Sequence, residues 1–578
     1  MKHISCRGPL AAAAAAVTAT AALALTGCSS SDDPDAGVPS AAQLATTCPT
    51  LAGKSIASAA IGLPSGNATI TSATFVPAVA ESVANNTTTP ASPDHCKVLG
   101  TIAPIDATAQ LINFQINLPT AWNSKALQYG GGGFNGTLVT GMAALRDAAP
   151  GDPLPITRGY ATFGTDSGHQ ASASPASEPG AFALNNEMLS NFAFASYKKV
   201  RDVSVEVMRA FYTQAPRRMY YFGGSEGGRE GLTMAQRFPA DYDGIVSVVP
   251  VINWTGLFHA FVRNEVPQFT DWMQAAKVPL ISKATSDACD ALDGLVDGVI
   301  NNYLACQSRV NLQTLRCPDG ADTGTTCLSD VELGVMNAIH STYTFPFPLA
   351  NGVTSYPQWW YGHEDSLDGP AQSMVRWVTG TAAPAVPPNA ANNATQWLYG
   401  SNWIRYAIAR NANFDVRTYD PANFAARVQE TSALVDSTNP DLSAFFARGG
   451  KLIIRENAAD RAQSPQMGIS YYSAVVARLG QQVVDQSARL YVSPASGHSG
   501  NSRSVTDQSA LPTMVDLLDP LDRWVTAGTA PGDSLVQTLK SAVAPFAVQA
   551  SRPMCRYPNY PRYTGGDRLQ ATSYACTP

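Results

Sequence analysis

From about residue 97 to residue 250, short apolar runs alternate with longer stretches of helical spacing. "LINFQINLP" and "KALQYGGGGFNG" suggest two strands, the second followed by a glycine-rich loop, and "GYATFGTDSGH" gives another strand and loop. "ASYKKVRDVSVEVMRAFY" is helical. Met219 to Phe222 form an apolar, aromatic strand, and Glu226 to Phe238 form a helix that stops at Pro239. Such alternation predicts an α/β sheet. The rhythm is lost from residue 251 to about 440, a stretch rich in Trp, Asn, Pro and Gly that holds four cysteines. It returns at "GGKLIIRENAADRAQSP", with a strand at Lys451 to Arg455. A helix in "ISYYSAVVARLG", the strand "ARLYVSP" and the loop "ASGHSGN" follow. The expected organisation is an α/β core in two parts, residues 48–250 and 441–578, with residues 251–440 inserted between them as a lid.

At 578 residues the chain exceeds one simple core, which suits a core with a large insertion. Charged residues make up only 14%, with 38 basic against 44 acidic and no basic cluster, which argues against a nucleic-acid partner. Lys2 and Arg7 precede an alanine-rich run from Leu10 to Leu25 that ends in "LTGC". This ending resembles a bacterial lipobox. Residues 1–27 then read as a lipoprotein-type signal peptide, Cys28 as the lipidated residue, and residues 28–47 as a flexible tether. The expected location is outside the cell, anchored by lipid to an outer membrane or cell surface, or secreted. A transmembrane helix is the alternative, but the run is short and weakly apolar for a span. Eight cysteines remain beyond the leader: Cys48, Cys96, Cys289, Cys306, Cys317, Cys327, Cys555 and Cys576. An even number in an exported chain implies four disulfides, and residue counting leaves their pairing open.

Gly223-Gly224-Ser225-Glu226-Gly227 is a G-x-S-x-G sequence placed between a strand and a helix. A sharp bend there leaves no room for Cβ atoms on either side, so the serine is pushed outward at the tip. A serine hydroxyl needs a base, and the base needs a third group to fix its tautomer. Among the histidines after Ser225, His259, His340 and His363 fall in the insertion, while His498 follows a strand of the returning core. Asp460 precedes it on a neighbouring strand's loop, with Glu456 and Asp485 also in range. The order Ser225, Asp460, His498 is that of an α/β-hydrolase. Oxyanion donors are expected from the backbone N–H of Glu226 and from the loop at 129–136, with Gly133 first and Gly132 next. "CDALDGLVDGVI" crowds Asp290, Asp293 and Asp297 into one loop with Gly294 and Gly298, a hard-oxygen set suited to a structural Ca²⁺ ion. An acidic turn without an ion is the plainer reading.

"GGSEGGREG…AQRFPADYDGIV", "CDALDGLVDGVI", "PASGHSG" and "CRYP…YTGGD" together resemble the tannase and feruloyl esterase family over nearly the whole mature chain. The resemblance implies an α/β-hydrolase core with a large lid, a serine-dependent esterase of small aromatic esters, and a structural calcium in the lid. It implies the catalytic set Ser225, Asp460 and His498, oxyanion donors at Glu226 and Gly133, and calcium ligands Asp290, Asp293 and Asp297 with the carbonyls of Leu295 and Val299. It also implies the disulfides Cys48–Cys96, Cys289–Cys306, Cys317–Cys327 and Cys555–Cys576. Three departures stand out. Gly224 and Ser499 occupy positions where family members commonly join two cysteines beneath the triad. Glu456-Asn457 replaces His-Gly before the acid. In the pocket, the resemblance places Gln396 or a neighbour where a characterised member has a lid arginine and Gln463 where it has a phenylalanine, with Trp377 as an aromatic wall. Without the arginine, feruloyl or galloyl esters are favoured over a terephthalate monoester or similar polyester fragment, although Arg405 could supply a grip. A reading from another class is a catalytically silent surface binding protein that kept the fold.

Overall fold

A strand with apolar side chains on both faces can be buried only in the interior of a sheet covered on both sides. Met219 to Gly224 and Ala161 to Thr165 are buried at every position, and both runs are interior strands. The computed structural model describes residues 37–85, 87–368 and 371–578, of which 39–578 form one unit. The leader 1–27 and Cys28 lie outside the described residues. The main sheet consists of Ser55–Ile56 (β1), Ala68–Val76 (β2), His95–Ile102 (β3), Ile112–Pro119 (β4), Lys125–Tyr129 (β5), Ala161–Thr165 (β6), Arg218–Gly224 (β7), Gly244–Val248 (β8), Lys451–Asn457 (β9), Ala488–Ser493 (β10), Ser534–Lys540 (β11) and Val548–Arg556 (β12). Their spatial order is β1-β2-β3-β4-β6-β5-β7-β8-β9-β10-β12-β11.

The middle of the sheet, from β6 through β10, is parallel, and both flanks are antiparallel. The helices used below are Ala41–Thr47 (α1), Ser196–Tyr212 (α2), Glu226–Arg237 (α3), Trp254–Glu265 (α4), Thr395–Trp403 (α5) and Pro465–Leu479 (α6). This is an α/β-hydrolase architecture. The parallel register aligns Gly224 of β7 with Val248 of β8, Val248 with Arg455 of β9, and Asn457 with Ser493 of β10. The carboxyl ends of these strands therefore lie along one edge, where open α/β sheets bind ligands.

The residues without βα rhythm enter between β8 and β9, two strands that pair directly. Their tryptophans serve as core. Trp254, Trp359, Trp360, Trp397 and Trp403 are among the largest fully buried side chains. The tether expected over 28–47 is shorter at its far end. Ser40 and Gln43 form a capping box, α1 follows, and Leu44 is buried, so the chain is already folded before Cys48. The disulfides are Cys48–Cys96, Cys289–Cys306, Cys317–Cys327 and Cys555–Cys576, the pairing that the family resemblance implied. Among the described residues no helix is long and apolar enough to cross a membrane.

Burial holds several histidines neutral. His259 on α4 is 2% exposed, with Nδ1 bonded to the Thr255 carbonyl (2.7 Å) and Nε2 to the Tyr419 hydroxyl (2.7 Å), and loss of solvent lowers it to about 4. Its unfolded counterpart titrates near 6.5, so between those values the unfolded chain binds the extra proton. The histidine's contribution is complete above about pH 6.5 and falls with pH by up to about 1.4 kcal/mol per unit until about pH 4. In melts across pH 7.5 to 4.5, His259→Gln is expected to be less stable at the upper end. The gap to the parent should narrow as pH falls, and a constant gap would contradict the neutral buried imidazole.

Candidate active site

Ser225 follows β7 and precedes α3 with φ 61° and ψ −122°, a left-handed conformation that side chains other than glycine rarely adopt. The bend is fastened on both sides: Ser225 N–H donates to the Val248 carbonyl (2.9 Å), and Val251 N–H donates to the Ser225 carbonyl (3.1 Å). A Cβ at Gly223 would fall onto the Gly227 carbonyl, and one at Gly227 would sit 2.6 Å from the Gly131 carbonyl. The glycines thus let strand, helix and glycine-rich loop meet at contact distance.

His498, on the loop after β10, places Nε2 2.9 Å from Ser225 Oγ and Nδ1 2.6 Å from Asp460 Oδ2. Asp460, on the loop after β9, is fully buried. Its Oδ1 accepts from the N–H groups of Ala462 (2.7 Å) and Gln463 (3.1 Å). The three residues chosen by chain order are therefore brought into one hydrogen-bonded line. Neither alternative acid takes this place. Asp485 pairs with Arg556 near the surface, and Glu456 lies fully buried behind Asp460. Burial and the Asp460 charge push Glu456 well above the ordinary carboxylate range.

Gln463 links these two acids, its amide nitrogen 2.8 Å from Glu456 Oε2 and 3.4 Å from Asp460 Oδ2. The expectation that Gln463 and Gln396 line a pocket is corrected here. Both are fully buried, and Gln396 accepts from Asn264 Nδ2 (3.1 Å) and donates to the Arg461 carbonyl (3.0 Å). Gln396, with partners on both ends of its buried amide, supports the loop instead of facing a ligand, and Gln463 is held through its nitrogen alone, its buried Oε1 having no partner. Trp377 does reach the site, its ring centroid 5.4 Å from that of His498 at 75°.

Glu226 N–H is the first of α3 and has no intrahelical acceptor. Gly133, with φ 61°, lies in the loop after β5. That loop is tied to α3 by Glu230, a fully buried residue missed at the level of sequence, which accepts from Gly131 N–H (3.1 Å) and the Tyr221 hydroxyl. Its only sequence signal is a carboxylate one turn beyond the elbow. The Glu226 side chain points inward to Arg229 (2.5 Å), a fully buried pair whose guanidinium also caps the carbonyls of Ala193 (2.7 Å) and Phe192 (3.0 Å).

Beside Gly224 and Ser499 lies a noncovalent brace. A Cβ at Gly224 would fall on the Arg146 side chain, which donates to the His498 carbonyl. Adjacent Asp147 forms a buried ion pair with Arg455 of β9 at 3.0 Å, and a Cβ at Gly500 would strike its carboxylate. Arg455 Nε also reaches Asn457 Oδ1 (3.0 Å), and Asn457 donates to the Gly497 carbonyl (2.8 Å). The histidine loop is thereby held at Gly497 and His498.

In the acidic loop, Asp290 accepts from the N–H groups of Asp297 (3.3 Å), Gly298 (2.9 Å) and Val299 (3.2 Å), while Asp293 accepts from Leu295 N–H (3.0 Å) and Asn301. Asp297 Oδ2 meets Arg552 at 3.1 Å, but its buried Oδ1 has no partner. Among the described residues, the three carboxylates that approach within 4.8 Å of one another are instead Asp271, Asp322 and Glu332. Lys277 bonds two of these, Asp322 at 2.8 Å and Glu332 at 2.6 Å, so that group already contains its cation.

A mixed sheet with a serine elbow, and an acid and a histidine on the next strand ends, defines an α/β-hydrolase. The family model for tannase and feruloyl esterase matches residues 96–577, and the chain belongs to that family. It is 34% identical to an uncharacterized esterase of Agrobacterium fabrum over 92% of each chain. It is 31% identical to the mono(2-hydroxyethyl) terephthalate hydrolase of Piscinibacter sakaiensis over 84% of this chain and 85% of that one. The fold superposes on feruloyl esterase B from Aspergillus oryzae with a TM-score of 0.69 at 23% identity, covering 92% of this chain and 100% of the other. The protein is accordingly a carboxylic ester hydrolase.

Asp147→Ala leaves the Arg455 guanidinium buried without its carboxylate and is expected to cost about 3–5 kcal/mol, read as a lower midpoint in urea. An unchanged midpoint would remove the brace from this account.

Proposed function

We propose that the protein hydrolyses aromatic esters of feruloyl or galloyl type through a serine acyl-enzyme. The observation that carries this reading is the line from Ser225 Oγ to His498 Nε2 (2.9 Å) and from His498 Nδ1 to Asp460 (2.6 Å). His498 takes the Ser225 proton as Oγ attacks the ester carbonyl, and Asp460 fixes the imidazole tautomer. The backbone N–H groups of Glu226 and Gly133 receive the charge on the acyl oxygen. His498 returns the proton to the leaving alcohol, and water, activated by the same imidazole, releases the acid. Trp377 beside His498, and Tyr399 stacked on Phe134 at 4.9 Å next to Gly133, support an acyl group with an aromatic ring.

Arg405 is turned away from such a substrate. It bonds the Ala412 carbonyl (2.7 Å) and lies 3.7 Å from Glu178. A second reading, an acyl group carrying its own carboxylate as in a terephthalate monoester, is favoured by Arg376, whose guanidinium lies 5.3 Å from the Trp377 ring centroid. Initial rates for the parent and Ser225→Ala on methyl ferulate, methyl gallate and a terephthalate monoester separate these cases. The variant should lose at least about 10⁴-fold in kcat, and full residual activity would refute the mechanism. The preferred ester identifies the acyl group.

The acidic loop is suited to calcium. Asp290, Asp293 and Asp297, with the carbonyls of Leu295 and Val299, supply the hard oxygens, and the unpartnered Asp297 Oδ1 is one acceptor that an ion would satisfy. Bound there, the ion would neutralise three carboxylates and brace the insertion. Removal of calcium with a chelator is then expected to lower the melting temperature and its return to restore it, and no shift would refute the site. Four disulfides support export, and the lipobox-like sequence at Cys28 supports a lipid anchor.

A further inference from the structure

The insertion sends one polar group to the oxyanion loop. Tyr399, on α5, is oriented so that a Cβ built on Gly133 would lie 2.9 Å from its hydroxyl but 3.6 Å from the ring carbon bearing it. The tip of the side chain, not its edge, therefore faces Gly133. Its direction is set by packing, because the ring stacks on Phe134 at 4.9 Å and 27°. Phe134 is itself wedged among Trp254 (5.6 Å), Phe258 (5.5 Å) and Trp403 (6.0 Å).

The hydroxyl has no hydrogen-bond partner among the described residues, and the side chain is only half-buried. Tyr197 and Tyr242 of the core are paired, the first donating to the Phe192 carbonyl (2.9 Å) and the second to Gln128 (2.5 Å), whereas the unpartnered hydroxyls of Tyr303 and Tyr406 are shut away from solvent. The neighbouring Gly132 offers open space, since a Cβ there would meet nothing within 4 Å. A fixed, unpartnered donor beside open space and the expected oxyanion loop is placed to meet a ligand.

We propose that Tyr399 is a catalytic residue whose hydroxyl donates a hydrogen bond to the acyl oxygen of the ester as that oxygen gains charge in the tetrahedral intermediate. It would act as a third donor beside the two backbone N–H groups. The inference rests on the serine mechanism proposed above and adds that the insertion supplies part of the charge stabilisation. The phenol keeps its own proton throughout, consistent with the partial loss of solvent around it raising its pKa above the ordinary tyrosine value, against a smaller opposing effect of the Arg376 charge. Placed at the carbonyl, it acts on any ester, whatever the acyl group.

The test compares the full mature chain with Tyr399→Phe and Ser225→Ala on p-nitrophenyl acetate and methyl ferulate, with melting temperatures measured alongside. Phenylalanine keeps the ring and its stack on Phe134, so the melting temperature should be unchanged. On both esters kcat should fall about 10- to 100-fold while KM stays within about threefold, as for loss of a donor used mainly in the transition state. Inhibition by phenylboronic acid, which forms a tetrahedral adduct with a reactive serine, should weaken by a similar factor. A kcat within about twofold of the parent, or a loss confined to KM, overturns the role while Ser225→Ala remains inactive. Activity retained by Ser225→Ala would instead refute the serine mechanism.

Discussion

The geometry at Ser225 is the constraint on which the site depends. A serine at φ 61° is strained by about 1–3 kcal/mol, and such a conformation persists only where its surroundings over-determine it. Here the surroundings are the Val248 carbonyl and Val251 N–H on one side and the glycine contacts of Gly223 and Gly227 on the other. The same close approach brings Gly131 to the start of α3, where Glu230 fastens it. One bend therefore positions both the serine hydroxyl and the backbone amides beside it.

The charges behind this bend are arranged so that few stand alone. Glu226 is paired with Arg229, and Arg455 with Asp147. Glu456 is pushed above the ordinary carboxylate range by burial and by the Asp460 charge, and is joined to Asp460 through Gln463. In a low-dielectric interior an unpaired charge is costly, so each arrangement also fixes a loop. Asp147 and Arg146 hold the histidine loop beside Gly224 and Ser499 without a covalent crosslink there. A crosslink constrains mainly the unfolded chain, whereas an ion pair and a carbonyl contact act only in the folded one. The position of His498 is consequently tied to the integrity of the local fold.

The insertion follows from the same sheet. It leaves β8 and returns at β9, its tryptophans pack into a core of their own, and α5 faces the glycine-rich loop. An aromatic wall at Trp377 and the phenol of Tyr399 both come from this one segment. Recognition and part of the charge stabilisation would then be supplied by chain that the parallel core does not need for its own folding.

The strands at 112–119, 125–129, 161–165, 218–224, 451–457 and 488–493, and the helices between them, were legible because hydrophobic period is a local property. The elbow was legible too, since G-x-S-x-G encodes a steric requirement, and chain order was enough to choose His498 and Asp460. The antiparallel flanks at 55–102 and 534–556 were not, because their pairing rests on distant partners. Gln396 and Gln463 show where reading by position failed: an amide looks the same in a sequence whether it faces a ligand or supports a loop. Arg146, Asp147 and Tyr399 carry no local signal, Glu230 only that of a carboxylate one turn beyond the elbow, and each gains meaning from a group far away in the chain, as Arg146 does from the His498 carbonyl. The sequence by itself determined the middle of the sheet, the bend and the side chains that meet beside it, because these follow from near-neighbour sterics, hydrophobic period and chain order. Only the tertiary structure decided which polar groups are buried as braces and which are left without a partner beside the bend, because that depends on contacts between segments far apart in the chain.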